Sequence, residues 1–500
     1  VTDDRAPVLV GAGQLTQRDV APAAALEPVA MMAAAARAAA ADAGGAASLL
    51  TAVDTVAAVN VFCFPYGNVP RLLAERVGAR PRRELYTTIG GNTPQWLVNV
   101  LAAQIAAGEV GTALIAGAEA VRTVARARKE RMRLPWGGGE GTPEILGDER
   151  DGTSPHELAH GLVLPTTIYP LFENALRAAR GWTIAEHRRE LGRLCARFAA
   201  VAAENPYAWF RDAATAEEIA TVTPGNRLIA FPYPKRMNAI LDVDQAAAVL
   251  LTSAGRARAL GIDPSRWVYL WGSAAAHDEW FVSERVDFTS SPAIRSAGRA
   301  ALETAGLEVA DVAHLDLYSC FPCAVQIGRD MLGIAPDDPR PLTVTGGLAY
   351  FGGPGNDYSL HAIATMMDRL RAAPGTTGLV TALGWYLTKH AVGVYGADRP
   401  PRPWRPSDDA RLQRDIDAQP GPALATDPVG DGTIETYTVL CDRDGAPLRG
   451  IVVGRTEDGR RFLANTPADR PLLELAMREE AIGRRGRVTR DGETNLFVPR

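Results

Sequence analysis

The chain has 500 residues, 47% hydrophobic and 22% charged, with a net charge of -5 and a pI near 5.9. This balance excludes a disordered or fibrous chain, and the length predicts two closely packed α/β units with at least one appended module. The mild acidic excess excludes a general attraction to nucleic acid or anionic membrane, so an anionic ligand needs a local basic patch. Five cysteines, Cys63, Cys195, Cys320, Cys323 and Cys441, predict free thiols in a reducing compartment and no disulfide framework. No apolar run reaches the length of a bilayer and Val1 to Asp4 carries no signal pattern, so a soluble cytoplasmic protein is expected.

In chain order, Val8 to Val10 reads as a strand ending in Gly11-Ala12-Gly13, and Met31 to Ala41 as an Ala-rich helix stopped by Gly44-Gly45. Further strands are predicted at Thr55 to Val61, Leu85 to Thr87 and Ala113 to Ala116. That order predicts a mostly parallel sheet with helical crossovers, forming a first half over residues 1–119. Within it, Gly90-Gly91-Asn92-Thr93-Pro94 precedes Gln95 to Ala107, apolar nearly all round. The glycines allow a tight turn, Asn92 or Thr93 can cap, Pro94 suits the first helical turn, and the helix must be buried. Its N-terminus then offers free N–H groups and partial positive charge to any adjoining cavity, although the segment alone reads more simply as a well-capped core helix.

Over residues 120–240 the rhythm changes to helices and polar loops, which predicts an inserted loop or lid domain. Here His156-Glu157-Leu158-Ala159-His160 matches the pattern in which two histidines one helical turn apart bind zinc and a glutamate activates water. No third ligand follows at a familiar spacing and Pro165 ends the helix, so no metal is assigned. The alternation returns over residues 241–397, with strands at Ala246 to Leu251, Trp267 to Trp271, Leu315 to Leu317 and Gly378 to Leu383. Asp316-Leu317-Tyr318-Ser319-Cys320-Phe321-Pro322-Cys323 turns from a strand end into a helix, at the mouth of the sheet where α/β sites gather. Its Cys-x-x-Cys spacing admits a redox role or, more simply, two buried thiols. Gly346 to Gly355 is glycine-rich and leads into a second apolar helix, Tyr358 to Leu370; without a following Lys-Ser/Thr it is no phosphate loop.

Residues 398–430 form a linker, because Pro400, Pro401, Pro403 and Pro406 oppose helix. Residues 431–500 read as strands punctuated by Asp444-Gly445, Asp458-Gly459 and Asp491-Gly492, with a helix near Pro471 to Glu480, which predicts a small OB-like β-barrel. Aromatics are sparse there (Tyr437, Phe462, Phe497), so docking or covering the core suits it better than binding nucleic acid.

Together, the Asn92 helix, the Tyr318-Ser319-Cys320-Phe321 turn, Gly352-Gly353-Pro354, Asp242 to Ala248 and Ala382 to Leu387 resemble the thiolase superfamily, nearest to its sterol-carrier-protein type, over roughly Ala6 to Gly396. The added terminal module resembles the type-1 thiolase-like proteins of mycobacteria and their relatives. The resemblance implies a thiolase fold: two βαβαβαββ halves in five αβαβα layers, an inserted loop domain and the C-terminal barrel. In such thiolases a Cys opens the first buried helix, His-Asp-Cys-Phe lies at the strand turn and Gly-His-Pro precedes the second helix. Here Asn92, Tyr318 and Gly353 replace the nucleophile and both histidines, and only Cys320 is kept.

A carboxamide cannot form the acyl-thioester intermediate, though it can hydrogen-bond a thioester carbonyl. The resemblance therefore implies an acetyl-CoA-acetyltransferase-related protein of lipid metabolism that holds coenzyme A or acyl-CoA without a tightly bound cofactor and without ordinary thiolase turnover. Arg128, Lys129, Arg131, Arg133, Lys235 and Arg236 become candidates for the CoA phosphates, each also readable as a solvated surface charge. Two alternatives stay open: a lyase that cleaves β-hydroxyacyl-CoA by a retro-aldol step through Tyr318, and a non-catalytic scaffold. Either a monomer or a homodimer is compatible with these features.

Overall fold

Strand and helix alternate from the start of the computed structural model, which describes residues 3–45 and 47–500. The first elements are β1 (Pro7–Thr16), α1 (Pro28–Asp42), α2 (Ala47–Thr51), β2 (Thr55–Ala58), α3 (Val69–Val77), β3 (Arg83–Thr87), α4 (Thr93–Ala107) and β4 (Thr112–Ala120). The inserted region follows, with α5 (Val121–Lys129), β5 (Glu144–Leu146), α6 (Pro155–Ala159), α7 (Pro165–Ala179), α8 (Ile184–Glu204), α9 (Ala216–Ala220), β6 (Leu228–Ala230) and β7 (Tyr233–Pro234). Next come β8 (Asp244–Ser253), α10 (Ala254–Ala259), β9 (Val268–His277), α11 (Pro292–Ala305), β10 (His314–Asp316), α12 (Pro322–Met331), α13 (Tyr358–Ala372), β11 (Thr377–Gly384) and β12 (Lys389–Gly396). The chain then runs through α14 (Asp409–Asp417), β13 (Gly430–Cys441), β14 (Pro447–Thr456), β15 (Arg461–Asn465), α15 (Arg470–Ala476), β16 (Arg485–Asp491) and β17 (Thr494–Pro499).

Two half-sheets of matching order, β3-β2-β4-β8-β1 and β9-β12-β11-β10, meet where β1 pairs with β9. In each half a strand that closes the unit runs antiparallel between two others: β8 between β4 and β1, and β12 between β11 and β9. The sheet is therefore mixed and not mostly parallel as expected. The insertion leaves the sheet at Ala120 and brings the chain back at Asp244, beside that same end, so β8 runs back antiparallel to β4, and the first half is complete only at Ser253, beyond the boundary drawn at residue 241.

Close approach explains the glycines of β1. A Cβ on Gly11 would stand 2.0 Å from the Ala39 carbonyl oxygen and one on Gly13 2.1 Å from that of Ala35, so the bare strand and the Ala-rich face of α1 are complementary halves of one contact. On the other side of this half-sheet lie α4 and α13, packed against each other and against both halves. Leu97, Val98, Leu101 and Ala102 of α4 and Leu360, Ala362, Ile363 and Met367 of α13 are fully enclosed. The central layer is enclosed along most of its length, and only the last turns emerge, as at Asp368 and Arg369 of α13.

The terminal module is a closed five-strand barrel, β13-β14-β15-β17-β16, closed by the β13–β14 pairing. Phe462, Phe497, Val488 and Ile434 fill it. It is stitched to the insertion: β6 pairs with β13 at Ala230↔Leu440, and the Phe231 N–H donates to the Val439 carbonyl at 2.8 Å. The segment expected as a linker is packed, since Trp404 is buried and α14 lies against β9 and α11. Among the described residues no helix is long and apolar enough to cross a membrane.

Candidate functional site

The turn into α4 is fixed from several sides. The Gly90 N–H donates to Asn356 Oδ1 at 2.8 Å, the Ser359 hydroxyl donates to the Gly91 carbonyl at 3.0 Å, and the Thr93 hydroxyl closes back onto the Gly90 carbonyl at 2.8 Å. Asn92 takes the N-cap position with helical backbone angles, and its side chain makes no capping bond. Its carboxamide is left over: Asn92 is buried and its Oδ1 has no hydrogen-bond partner. A buried amide oxygen without a partner costs free energy, which marks the position as one to be explained. Asn92 borders an open cleft of about 780 Å³, whose walls include Thr88, Trp96, Trp280, Lys389 and Gln413.

Tyr318 reaches the same turn from the opposite direction. A Cβ on Gly91 would stand 2.1 Å from the Tyr318 hydroxyl oxygen and 2.6 Å from the Leu383 carbonyl, so the phenol packs directly on the backbone that carries Asn92. Its ring meets Tyr358 edge-on at 5.5 Å, and burial holds the phenol firmly protonated. Cys320 is enclosed beside Tyr169, and burial pushes its thiol up to about 12 against the pull of the Tyr169 hydrogen bond. Gly353 lies at the bend before α13, its N–H donating to the Ile240 carbonyl at 2.8 Å. Of these four residues, Asn92 and Tyr318 are brought together and only Asn92 borders the cleft. A separate cavity of about 20 Å³ lies beside Ser319 and Phe321, with room for little more than water.

The other thiols resemble Cys320. All five cysteines are free, none borders the cleft, and burial raises each. Cys323, whose Sγ donates to the Tyr169 carbonyl at 3.5 Å, is raised well above its ordinary value, so the Cys-x-x-Cys spacing yields buried thiols with no acidified member. The zinc-like motif has a structural account. Glu157 accepts the Ser154 and Ser283 N–H groups at 2.9 and 2.7 Å. His160 accepts the Asn495 N–H at Nε2 and donates from Nδ1 to the His156 carbonyl at 2.7 Å, the tautomer these partners require. Among the described residues no group of three or more His, Cys, Asp or Glu is placed to hold a metal.

Arg128 and Lys129 at the end of α5, Arg131 and Arg133 beyond it, and Lys235 and Arg236 after β7 are all exposed. None borders the cleft, whose ionisable walls include Asp148, Glu149, Asp409 and Lys389. Lys389, Trp280 and Trp385 are the residues that sequence reasoning missed. Composition held one signal for the first: Lys129, Lys235 and Lys389 are the chain's three lysines among 53 basic residues.

Two half-sheets of repeated order around a buried helix pair, with an insertion before the closing strand of the first half, define the thiolase fold. Residues 274–354 match the family described as "Thiolase C-terminal domain-like", and residues 411–493 match "Thiolase-like protein type 1 additional C-terminal domain". The solved monomeric SCP2-thiolase like protein type 1 from Mycobacterium smegmatis is 38% identical, with a TM-score of 0.86 and all of both chains covered. The chain belongs to this SCP2-thiolase-like type 1 family. A 3-ketoacyl-CoA thiolase from Aeromonas salmonicida is 31% identical over 159 residues, 29% of this chain and 35% of the relative, so the match spans about a third of that enzyme's length. A solved Ltp2-ChsH2(DUF35) aldolase shares the fold, with a TM-score of 0.62 and 20% identity over 80% of this chain and 100% of that one.

Proposed function

We propose that this protein binds thioesters of the acyl-CoA class in lipid metabolism and does not carry out ordinary thiolase turnover. The observation that supports this reading is the Asn92 carboxamide, buried at the N-terminus of α4, unpartnered at Oδ1 and bordering the cleft. The helix end favours a polarised carbonyl; the Asn92 Nδ2 can donate to it, the unpartnered Oδ1 can accept from a ligand N–H or O–H, and an amide cannot accept its acyl group. The six exposed basic residues lie outside the cleft, so in this reading they meet phosphates at the surface while the thioester end reaches Asn92. Incubation with acetoacetyl-CoA and free CoA should give no thiolysis, and acyl-CoA should raise the melting temperature. Thiolysis at ordinary thiolase rates would overturn the reading.

A second reading rests on the Tyr318 hydroxyl at the same turn, and the same fold serves the aldolase named above. As a retro-aldol lyase the protein would release a carbonyl product from a β-hydroxyacyl-CoA, with Tyr318 handling the proton. Carbonyl release that disappears in Tyr318→Phe would select this reading over binding. Absence of both turnover and thermal shift with any of these ligands would leave a scaffold.

A further inference from the structure

Lys389 is the first residue of β12, paired across to Gly384 on one side and His277 on the other, so its backbone is held by both neighbours. The side chain is 7% exposed. Its ammonium nitrogen lies 5.8 Å from the centre of the Trp280 ring and 5.6 Å from that of Trp385. Trp280 is itself fixed, with the Arg150 guanidinium stacked on it at 3.8 Å and its indole N–H donating to the Asp151 carbonyl at 2.8 Å.

Glycines keep the space around the stem clear. A Cβ on Gly90 would stand 2.9 Å from Lys389 Nζ and 2.4 Å from Asn92 Oδ1, and one on Gly384 would meet Lys389 Cε at 3.0 Å. The amine and the unpartnered amide therefore flank one point at the wall of the cleft. Nζ donates to the Ile89 carbonyl at 2.5 Å, and among the described residues no carboxylate forms an ion pair with it. The two ring faces favour the ammonium, and its removal from bulk water opposes it. Burial lowers the group to about 8, with Asp148 opposing the shift and Arg150 adding to it, so a useful share is nucleophilic near neutrality. Arginine supplies nearly all of the chain's positive charge, and an arginine could not serve this purpose.

We propose that Lys389 is a covalent carbonyl-binding site, whose amine condenses with an aldehyde or ketone that enters the cleft. The nitrogen lone pair attacks the carbonyl carbon, and the carbonyl oxygen leaves as water with the two hydrogens of the neutral amine. A C=N bond replaces C=O, and no oxidant or reductant is consumed. The Asn92 carboxamide is placed to hydrogen-bond the hydroxyl of the carbinolamine formed on the way. This site goes beyond thioester binding, because its ligand is a free carbonyl compound and its chemistry is read on a different residue.

The test uses the full chain with butanal and, separately, acetone, each with sodium cyanoborohydride, which reduces an imine to a stable secondary amine. Peptide mass mapping then compares three lysines in one molecule. Lys389 is expected to be alkylated at least about tenfold faster than the exposed Lys129 and Lys235 near neutral pH, because burial at the cleft wall disfavours its proton. Labelling equal to or slower than theirs overturns the proposal and leaves Lys389 as a strut for the Ile89 carbonyl. Lys389→Met should lose the adduct while Lys129 and Lys235 are labelled as in the unaltered protein. Should that variant not fold, the mapping of the unaltered protein still decides, and neither outcome touches the thioester reading, which is measured without carbonyl probe or reductant.

Discussion

The Asn92 amide contributes no capping bond and leaves an oxygen unsatisfied, so its removal should be cheap for the fold. Asn92→Ala is expected to stay within about 1 kcal/mol of the unaltered protein in urea unfolding, while the melting shift induced by acyl-CoA falls. A large loss of stability with an unchanged ligand shift would make Asn92 a structural residue. Glu119 gives a pH signature at the same scale. It is enclosed, accepts the Phe62 and Cys63 N–H groups at 2.9 and 3.1 Å, and burial raises it to about 7 despite those bonds. A carboxyl raised above its ordinary 4.5 binds its proton more tightly in the folded state. Its contribution to stability is complete below that value and is lost as pH rises through about 7. Asp316, raised to about 6 by burial, acts with the same sign. A carbon-13 titration of Glu119 with its midpoint near an ordinary glutamate value would contradict this.

At the scale of elements, the turn into α4 is the most tightly constrained junction described. Gly91→Ala would push a methyl group into both the Tyr318 hydroxyl and the Leu383 carbonyl. It is expected to cost about 2 kcal/mol or more in denaturant unfolding, because the carbonyl belongs to a central strand and cannot yield. A neutral Gly91→Ala would mean that the turn relaxes freely. Helices α4 and α13 were legible in the sequence, since a run apolar on every face after a Gly-rich turn has few other solutions. The glycine-punctuated strands of the barrel were legible for a similar reason. The direction of β8 was not, because antiparallel pairing with β1 and β4 is a long-range choice that local pattern does not encode. Strand β12 was missed outright, and Lys389 with it. A lysine and histidine at its start, Lys389-His390, look polar on paper, and only the neighbouring strands and tryptophans turn that point inward. Glu157 and His160 show the reverse case: members of a motif with metal spacing whose carboxylate and Nε2 partners are already supplied by Ser154, Ser283 and Asn495.

For the whole molecule, the outer side of β3 is covered by β5 from the insertion, so the sheet ends there on a strand of three residues and a second copy cannot pair with β3 itself. Sedimentation is expected to give a monomer, the state named for the Mycobacterium smegmatis relative; a stable dimer would show that another face governs association. The barrel is held to the core by charge as well as by strand pairing. Arg461 is fully enclosed, its Nη2 2.6 Å from Glu435, and Nη1 donates to the Ser283 carbonyl at 3.1 Å and to that of Arg285. Arg461→Met leaves Glu435 with Arg455 alone and strips those carbonyls of their donor, so a loss of about 3 kcal/mol is expected in urea unfolding. A neutral result would mean that water replaces the guanidinium.

Strand β13 pairs at once with β14, β16 and, through Leu440, with β6. Whatever force lifts the insertion must therefore drag the appended module with it, like a door whose handle is bolted to the frame of the next room. In native-state hydrogen exchange the amides of Ala230 and Phe231 should open in the same step as those of β13, and none of them in a cheaper, local one.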